Sequence, residues 1–138
     1  MEHIQYEINT FVSAEEFIKL LHASTLASRR PVDDQGCIES MLKHANLIVS
    51  ARSGCRLVGI ARSVTDFSYC CYLSDLAVDH SCQKQGIGKQ LIYWTQKQLG
   101  PKCKIILLSA PGAVNYYPHI GFFKHEQAWI LPHDLRLE

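Results

Sequence analysis

Gln83-Lys84-Gln85-Gly86-Ile87-Gly88-Lys89 joins an apolar run, Leu73 to Val78, to a segment in which Ile87, Leu91, Trp94 and Thr95 fall on one helical stripe before Gly100 and Pro101 stop it. A strand, a loop and a helix therefore follow one another here. The first turn of a helix carries backbone N–H groups without internal partners, and the helix dipole adds partial positive charge at the same end. Gly86 and Gly88 remove side chains that would hold a phosphate away, and Lys84 and Lys89 add formal charge. Two familiar phosphate loops fail on spacing. No Ser or Thr follows Lys89, as a nucleoside triphosphate loop needs, and Leu91 stands where a dinucleotide loop needs its third glycine. The same two glycines would also serve as a plain helix entry.

Upstream, Ile4 to Asn9 alternates apolar and polar residues and predicts a first strand. Ser13 followed by Glu16 predicts a capped helix to about Ala23. Ser28 to Gly36 is rich in breakers, Cys37 to His44 reads as a short second helix, and Leu47 to Ser53, Arg56 to Asp66 and Tyr69 to Val78 read as strands of an antiparallel meander. Downstream, Lys104 to Ser109 reads as a buried strand, Ala113 to Ile120 as a short helix containing Pro118, and Gly121 to Leu131 as a last extended region. The fold class is α+β with a mixed sheet.

At 138 residues the chain has room for one domain, residues 1–138, and 47% hydrophobic with 20% charged residues excludes a disordered tail. A net charge of +1 lacks the field of a nucleic-acid binder, so no nucleic-acid partner is expected. No apolar run approaches the roughly 18 residues of a membrane span, so no membrane partner is expected either. Met1 to Thr10 carries Glu2 and Glu7 rather than a secretory leader, which predicts a cytoplasmic protein. Cys37, Cys55, Cys70, Cys71, Cys82 and Cys103 form no CxxC, and reduced thiols are expected. The seven histidines show no ligand spacing, so no metal is expected.

Gln83 to Gly88, entered by a strand ending in Val78 and Asp79, resembles the acetyl-CoA loop of the GNAT N-acetyltransferase superfamily. Tyr116-Tyr117-Pro118-His119-Ile120-Gly121-Phe122 resembles a second signature of that family, an aromatic, Tyr, three residues, Gly and Phe. The likeness is strong over Leu47 to Phe122 and extends to the first forty residues only in element order. It implies a GNAT-like, mostly antiparallel central sheet flanked by helices, with the fourth and fifth strands splayed around the cofactor. It further implies direct transfer of acetyl from acetyl-CoA to an amine, of a small molecule or of a peptide or protein. The donor would be held by Leu76, Ala77, Val78 and by Gln83, Lys84, Gln85, Gly86, Ile87, Gly88 and Lys89. Many members place an Asn after the fifth strand, where this chain has Ala110, followed by Pro111 and Gly112; the resemblance then leaves that contact to backbone or to Asn115. Many relatives dimerise, so a homodimer is within what the likeness implies.

An amine of pKa about 10.4 is almost wholly protonated at neutral pH, so transfer needs a base or a water chain. In the resemblance, the Leu76 backbone N–H polarises the thioester carbonyl, and Tyr117 stands beside the sulfur and also contacts the cofactor. A neutral phenol can donate a proton to a developing thiolate. The base is less visible. Asp75 is a carboxylate in an apolar run, a candidate base or a structural hydrogen-bond acceptor. Strict alternation would put Tyr69, Cys71, Leu73 and Asp75 on one face and Cys70, Tyr72, Ser74 and Leu76 on the other, and a bulge would exchange the sets. Arg29, Arg30, Asp33 and Asp34 lie in the loop that walls the acceptor in similar proteins, or form a solvated turn. Phe67, Tyr69, Tyr72 and Trp129 could line an acceptor or be plain core. The alternative function is a non-catalytic acyl-CoA-binding or sensing module.

Overall fold

The computed structural model describes residues 3–137; Met1, Glu2 and Glu138, the ends of the expected 1–138 domain, lie outside the described residues. Strand β1 (Ile4–Ile8) is followed by helix α1 (Ala14–Ala23), and the expected capping box forms at its start. Ser13 Oγ accepts from the Glu16 N–H at 3.1 Å, and Glu16 Oε2 accepts from the Ser13 N–H at 2.8 Å. A 3-10 turn (Leu26–Arg29) leads to α2 (Gln35–His44). This helix begins at Gln35 rather than Cys37 because Asp34 is its N-cap, accepting from the Cys37 N–H at 3.0 Å.

Strands β2 (Leu47–Ser53), β3 (Arg56–Thr65) and β4 (Cys70–Val78) form the antiparallel meander, with Gly54 in the left-handed region at the first turn. Helix α3 (Ile87–Lys97) then returns the chain to β5 (Lys104–Ile106), which lies parallel to β4. The sheet order is β1-β2-β3-β4-β5.

Cross-strand register assigns the faces. Ile60 pairs with Ala77 and Arg62 with Asp75, whereas Ser63 pairs with Leu73 and Thr65 with Cys71. Ser74 is therefore an extra residue, a bulge that turns Asp75 to the face shared by Tyr72 and Ala77 and Leu76 to the face shared by Cys71 and Leu73. The first face carries α1 and α2 over a core of Phe17, Leu20, Leu21, Ile38, Ile48, Ile60 and Ala77. Burying each of the larger of these side chains is worth about 1.5–3 kcal/mol. The second face carries α3 through Ile87, Leu91, Ile92 and Thr95; Ile92 replaces Trp94, expected in the stripe but only half-buried. Gly59 permits the close approach. A Cβ there would lie 3.0 Å from Leu91 Cδ1 and 3.1 Å from Ile87 Cγ2.

The described residues group into two compact units, up to Leu108 and from Ser109 onward. The second unit contains a 3-10 turn (Pro111–Ala113) and a one-turn helix α4 (Tyr116–His119). Helix α4 is shorter than the expected Ala113 to Ile120 because Pro118 has no N–H to bond one turn back. No strand forms between Gly121 and Leu131, where an extended region was expected, and Trp129 is 93% exposed.

Candidate active site

The strand–loop–helix unit supplies two features within one unit of the chain. The first is an open edge. Strand β5 pairs with β4 only from Cys70 to Tyr72, so Leu73 to Val78 have no partner from β5. On the other side the Asp79 N–H donates to the Val58 carbonyl at 2.8 Å. Extended backbone alternates the direction of its N–H groups, so those of Ala77 and Asp75 point to β3 and those of Leu76 and Val78 point to the open edge. The expected divergence of the fourth and fifth strands is thus present, with Leu76 on its lip. Ala77 instead packs in the core.

The second feature is the start of α3. Gly86 is its N-cap at φ 79°, and no side chain caps the helix. Lys84 is also left-handed at φ 67°, which curls the loop. Gln83 ties this loop to β4 by donating from Nε2 to the Val78 carbonyl at 3.3 Å. Gln83, Lys84, Gln85, Gly86 and Lys89 are exposed, Gly88 is half-buried, and Ile87 anchors the turn in the core. Free N–H groups, a dipole and two lysines suit a phosphate at this turn.

Asp75 is completely buried. Its Oδ1 accepts from Arg30 Nε–H and its Oδ2 from Arg62 Nε–H. Arg30 also donates to the Ser74 carbonyl at 2.8 Å, and Arg62 to Ser74 Oγ at 2.9 Å and to the Met41 carbonyl at 3.1 Å. The cluster pins the bulge, the 26–34 loop and α2 together. Arg62 was missed from sequence. The available signal was an Arg and an Asp, each alone in the apolar run of consecutive hairpin strands.

In the second unit, the Tyr117 ring meets Tyr116 and Phe122 edge-on, at centroid distances of 5.3 and 5.4 Å. The Tyr117 carbonyl accepts from the N–H groups of Ile120 and Phe122, and Gly121 takes φ 115° to allow it. Burial, with a smaller contribution from Tyr116, pushes the Tyr117 phenol above its ordinary pKa. Tyr116 is 37% exposed, and Asn115 is exposed. Phe67, Tyr69 and Tyr72 are also outside the core, and Lys104 Nζ lies 3.8 Å from the Tyr69 ring centroid. Among the described residues no three His, Cys, Asp or Glu side chains gather as a metal site, and no helix is long and apolar enough to cross a membrane.

Residues 21–130 match the family model of the acetyltransferase (GNAT) domain. The chain belongs to the GNAT acetyltransferase family. It is 28% identical over 123 residues to an uncharacterized N-acetyltransferase, ycf52, of Gracilaria tenuistipitata var. liui, covering 83% of this chain and 68% of that protein. Relatives of that name from Porphyra purpurea and Pyropia yezoensis are 30% and 28% identical over 93 residues, covering 63% of this chain and 53% of each of those proteins. Among solved structures, a GNAT-family acetyltransferase of Streptococcus pneumoniae superposes with TM-score 0.74 at 24% identity, covering 94% of this chain and 98% of that one. The aminoglycoside N-acetyltransferase AAC(6')-Iy, solved in complex with CoA, superposes with TM-score 0.71 at 17% identity, covering 98% and 97%. These structures share the mixed, mostly antiparallel fold.

Proposed function

We propose that residues 1–138 act as one acetyltransferase domain that moves the acetyl group of acetyl-CoA directly to an amine. The observation that carries this reading is the open β4 edge at Leu76, leading directly into the uncapped, glycine-opened start of α3. The donor's pyrophosphate would be held by Gln83, Lys84, Gln85, Gly86, Ile87, Gly88 and Lys89. Its pantetheine arm would be held by the backbone of Leu76 and Val78 at the open edge, whereas Ala77, expected there from sequence, turns its backbone to β3; Asn115 is proposed as a further donor contact on the resemblance alone. A CoA complex of a fold relative supports the same donor.

In the reaction, the amine nitrogen bonds to the thioester carbonyl carbon while the Leu76 N–H stabilises the oxyanion, a contribution of about 3–4 kcal/mol when a donor is preorganised. The carbon–sulfur bond breaks, and Tyr117 gives its proton to the departing sulfur. The substrate ammonium gives one proton to water before attack, and the nitrogen gives up a second once bonded, which returns through water to the Tyr117 phenolate. Asp75, a candidate base from sequence, has both oxygens engaged and no exposed surface, and we assign it to holding Arg30 and Arg62. A cytoplasmic site of action belongs to the same proposal, as does an acceptor that is a small amine or a peptide or protein amine.

The test is release of CoA thiol with an amine panel, with product mass as confirmation. Tyr117→Phe is expected to lower kcat by about 10²–10⁴ while acetyl-CoA affinity stays within about twofold. Unchanged turnover would remove Tyr117 from the chemistry. Acetyl-CoA binding without turnover on any amine would support a sensing module instead.

A further inference from the structure

We infer that the acceptor is a primary monoamine with an apolar body, and that this body lies on a row formed by Val64, Tyr72 and Ile106. The inference rests on the acetyl-transfer reading above and names its substrate class. Val64 pairs with Tyr72, and Tyr72 with Ile106, so the three side chains stand side by side across three strands on one face. They are 49%, 41% and 46% exposed, an open apolar surface across the last three strands of the sheet, with β5 at its edge. The bulge at Ser74 puts Asp75 and Ala77 on this same face. There α1 and α2 cover the later half of β4 and leave the earlier half open.

Charge around the row decides between amine classes. Two guanidiniums on the one carboxylate of Asp75 leave that cluster with a positive charge in excess. Lys104, which pairs with Cys70 in register with Ile106, adds a second cation on the same face. Asp66, in the turn after β3, spends Oδ1 on the backbone N–H groups of Ser68, Tyr69 and Cys70, at 2.9, 2.8 and 3.0 Å. A polycationic acceptor would meet three cations, Arg30, Arg62 and Lys104, against the two carboxylates Asp75 and Asp66. An apolar body meets a surface that gains from being covered. At about 3.3 Å per residue, Tyr72 lies roughly 10–13 Å along β4 from the Leu76 N–H. One aromatic ring or a short alkyl chain behind the reacting amine bridges that distance once side-chain reach is counted.

The experiment uses the whole chain with acetyl-CoA and four acceptors: phenethylamine, hexylamine, spermidine and kanamycin. Calorimetric titration with acetyl-CoA runs beside it. The expected result is turnover of the first two amines with kcat/KM at least tenfold above the polycations. Tyr72→Ala should raise KM for phenethylamine about tenfold, with kcat within threefold and acetyl-CoA affinity within twofold, and Val64→Lys should act in the same direction. Circular dichroism confirms that both variants fold. Preferred turnover of spermidine or kanamycin, or an unchanged KM in both variants, would overturn the acceptor assignment while leaving acetyl transfer intact. Absence of acetyl-CoA binding in the titration would overturn both.

Discussion

Asp75→Asn separates a structural carboxylate from a catalytic one. The substitution keeps side-chain volume and removes the charge that faces Arg30 and Arg62. Arg62 is 8% exposed and would be left buried without its anion, although its bonds to Met41 and Ser74 survive. Breaking a buried pair by removing one partner costs about 3–5 kcal/mol. With an unfolding entropy of about 2.1 cal/mol/K per residue, 138 residues convert this into a fall in Tm of about 10–17 °C. Thermal and urea melts give the stability, and thiol release at a temperature where both proteins are folded gives kcat. The expectation is a large stability loss with kcat within about fivefold of the parent chain and an unchanged pH–rate profile. A Tm within about 3 °C of the parent, together with a kcat loss beyond about 10³, would refute the assignment and make Asp75 the base.

Asp66 offers a pH signature. Its bonds from the backbone of Tyr69, Cys70 and Ser68 lower its carboxyl from 3.8 to about 2. A depressed carboxylate stabilises the fold above its unfolded pKa and loses that contribution as pH falls through the folded value. The stability difference between the parent chain and Asp66→Asn in urea melts should therefore be constant above about pH 5 and shrink toward zero between about pH 4 and 2. Gly59→Ala should destabilise by about 1–3 kcal/mol, because its methyl enters the space of Leu91 and Ile87 and pushes α3 off the sheet; equilibrium denaturation measures it. Tyr117 as a proton donor should hold its activity into alkaline solution. The rate should fall only as pH passes a phenol pKa held above 10.0 by burial, and Tyr117→Phe should lack that limb.

Local signals carried much of the architecture. Ser13 and Glu16 are three residues apart, and their capping box depends on nothing distant. The run into Val78 and the glycines at 86 and 88 likewise announce strand, loop and helix through backbone preferences alone. Non-local features were not legible. The bulge at Ser74 is a property of pairing with β3, and strict alternation would have put Asp75 on the wrong face. Its partners lie 45 and 13 positions away in the chain, so no short window contains the cluster. The region from Gly121 to Leu131 looked extended because its residues favour strands, but a strand requires a ladder partner, and none pairs with it among the described residues. Tyr116 and Trp129 carry apolar rings, yet burial is set by the neighbours that packing brings and not by the ring itself.

The β4 edge and the start of α3 together form the proposed donor site for acetyl-CoA. Calorimetric titration of the folded chain with acetyl-CoA, alongside ATP and NAD and with Gly86→Val as the paired variant, tests it without any knowledge of the acceptor. The expected result is a Kd in the micromolar range for acetyl-CoA alone, weakened at least about tenfold when a β-branched side chain is forced into the left-handed conformation at position 86. Folded protein that takes up no acetyl-CoA, or that binds ATP or NAD as well, would contradict it.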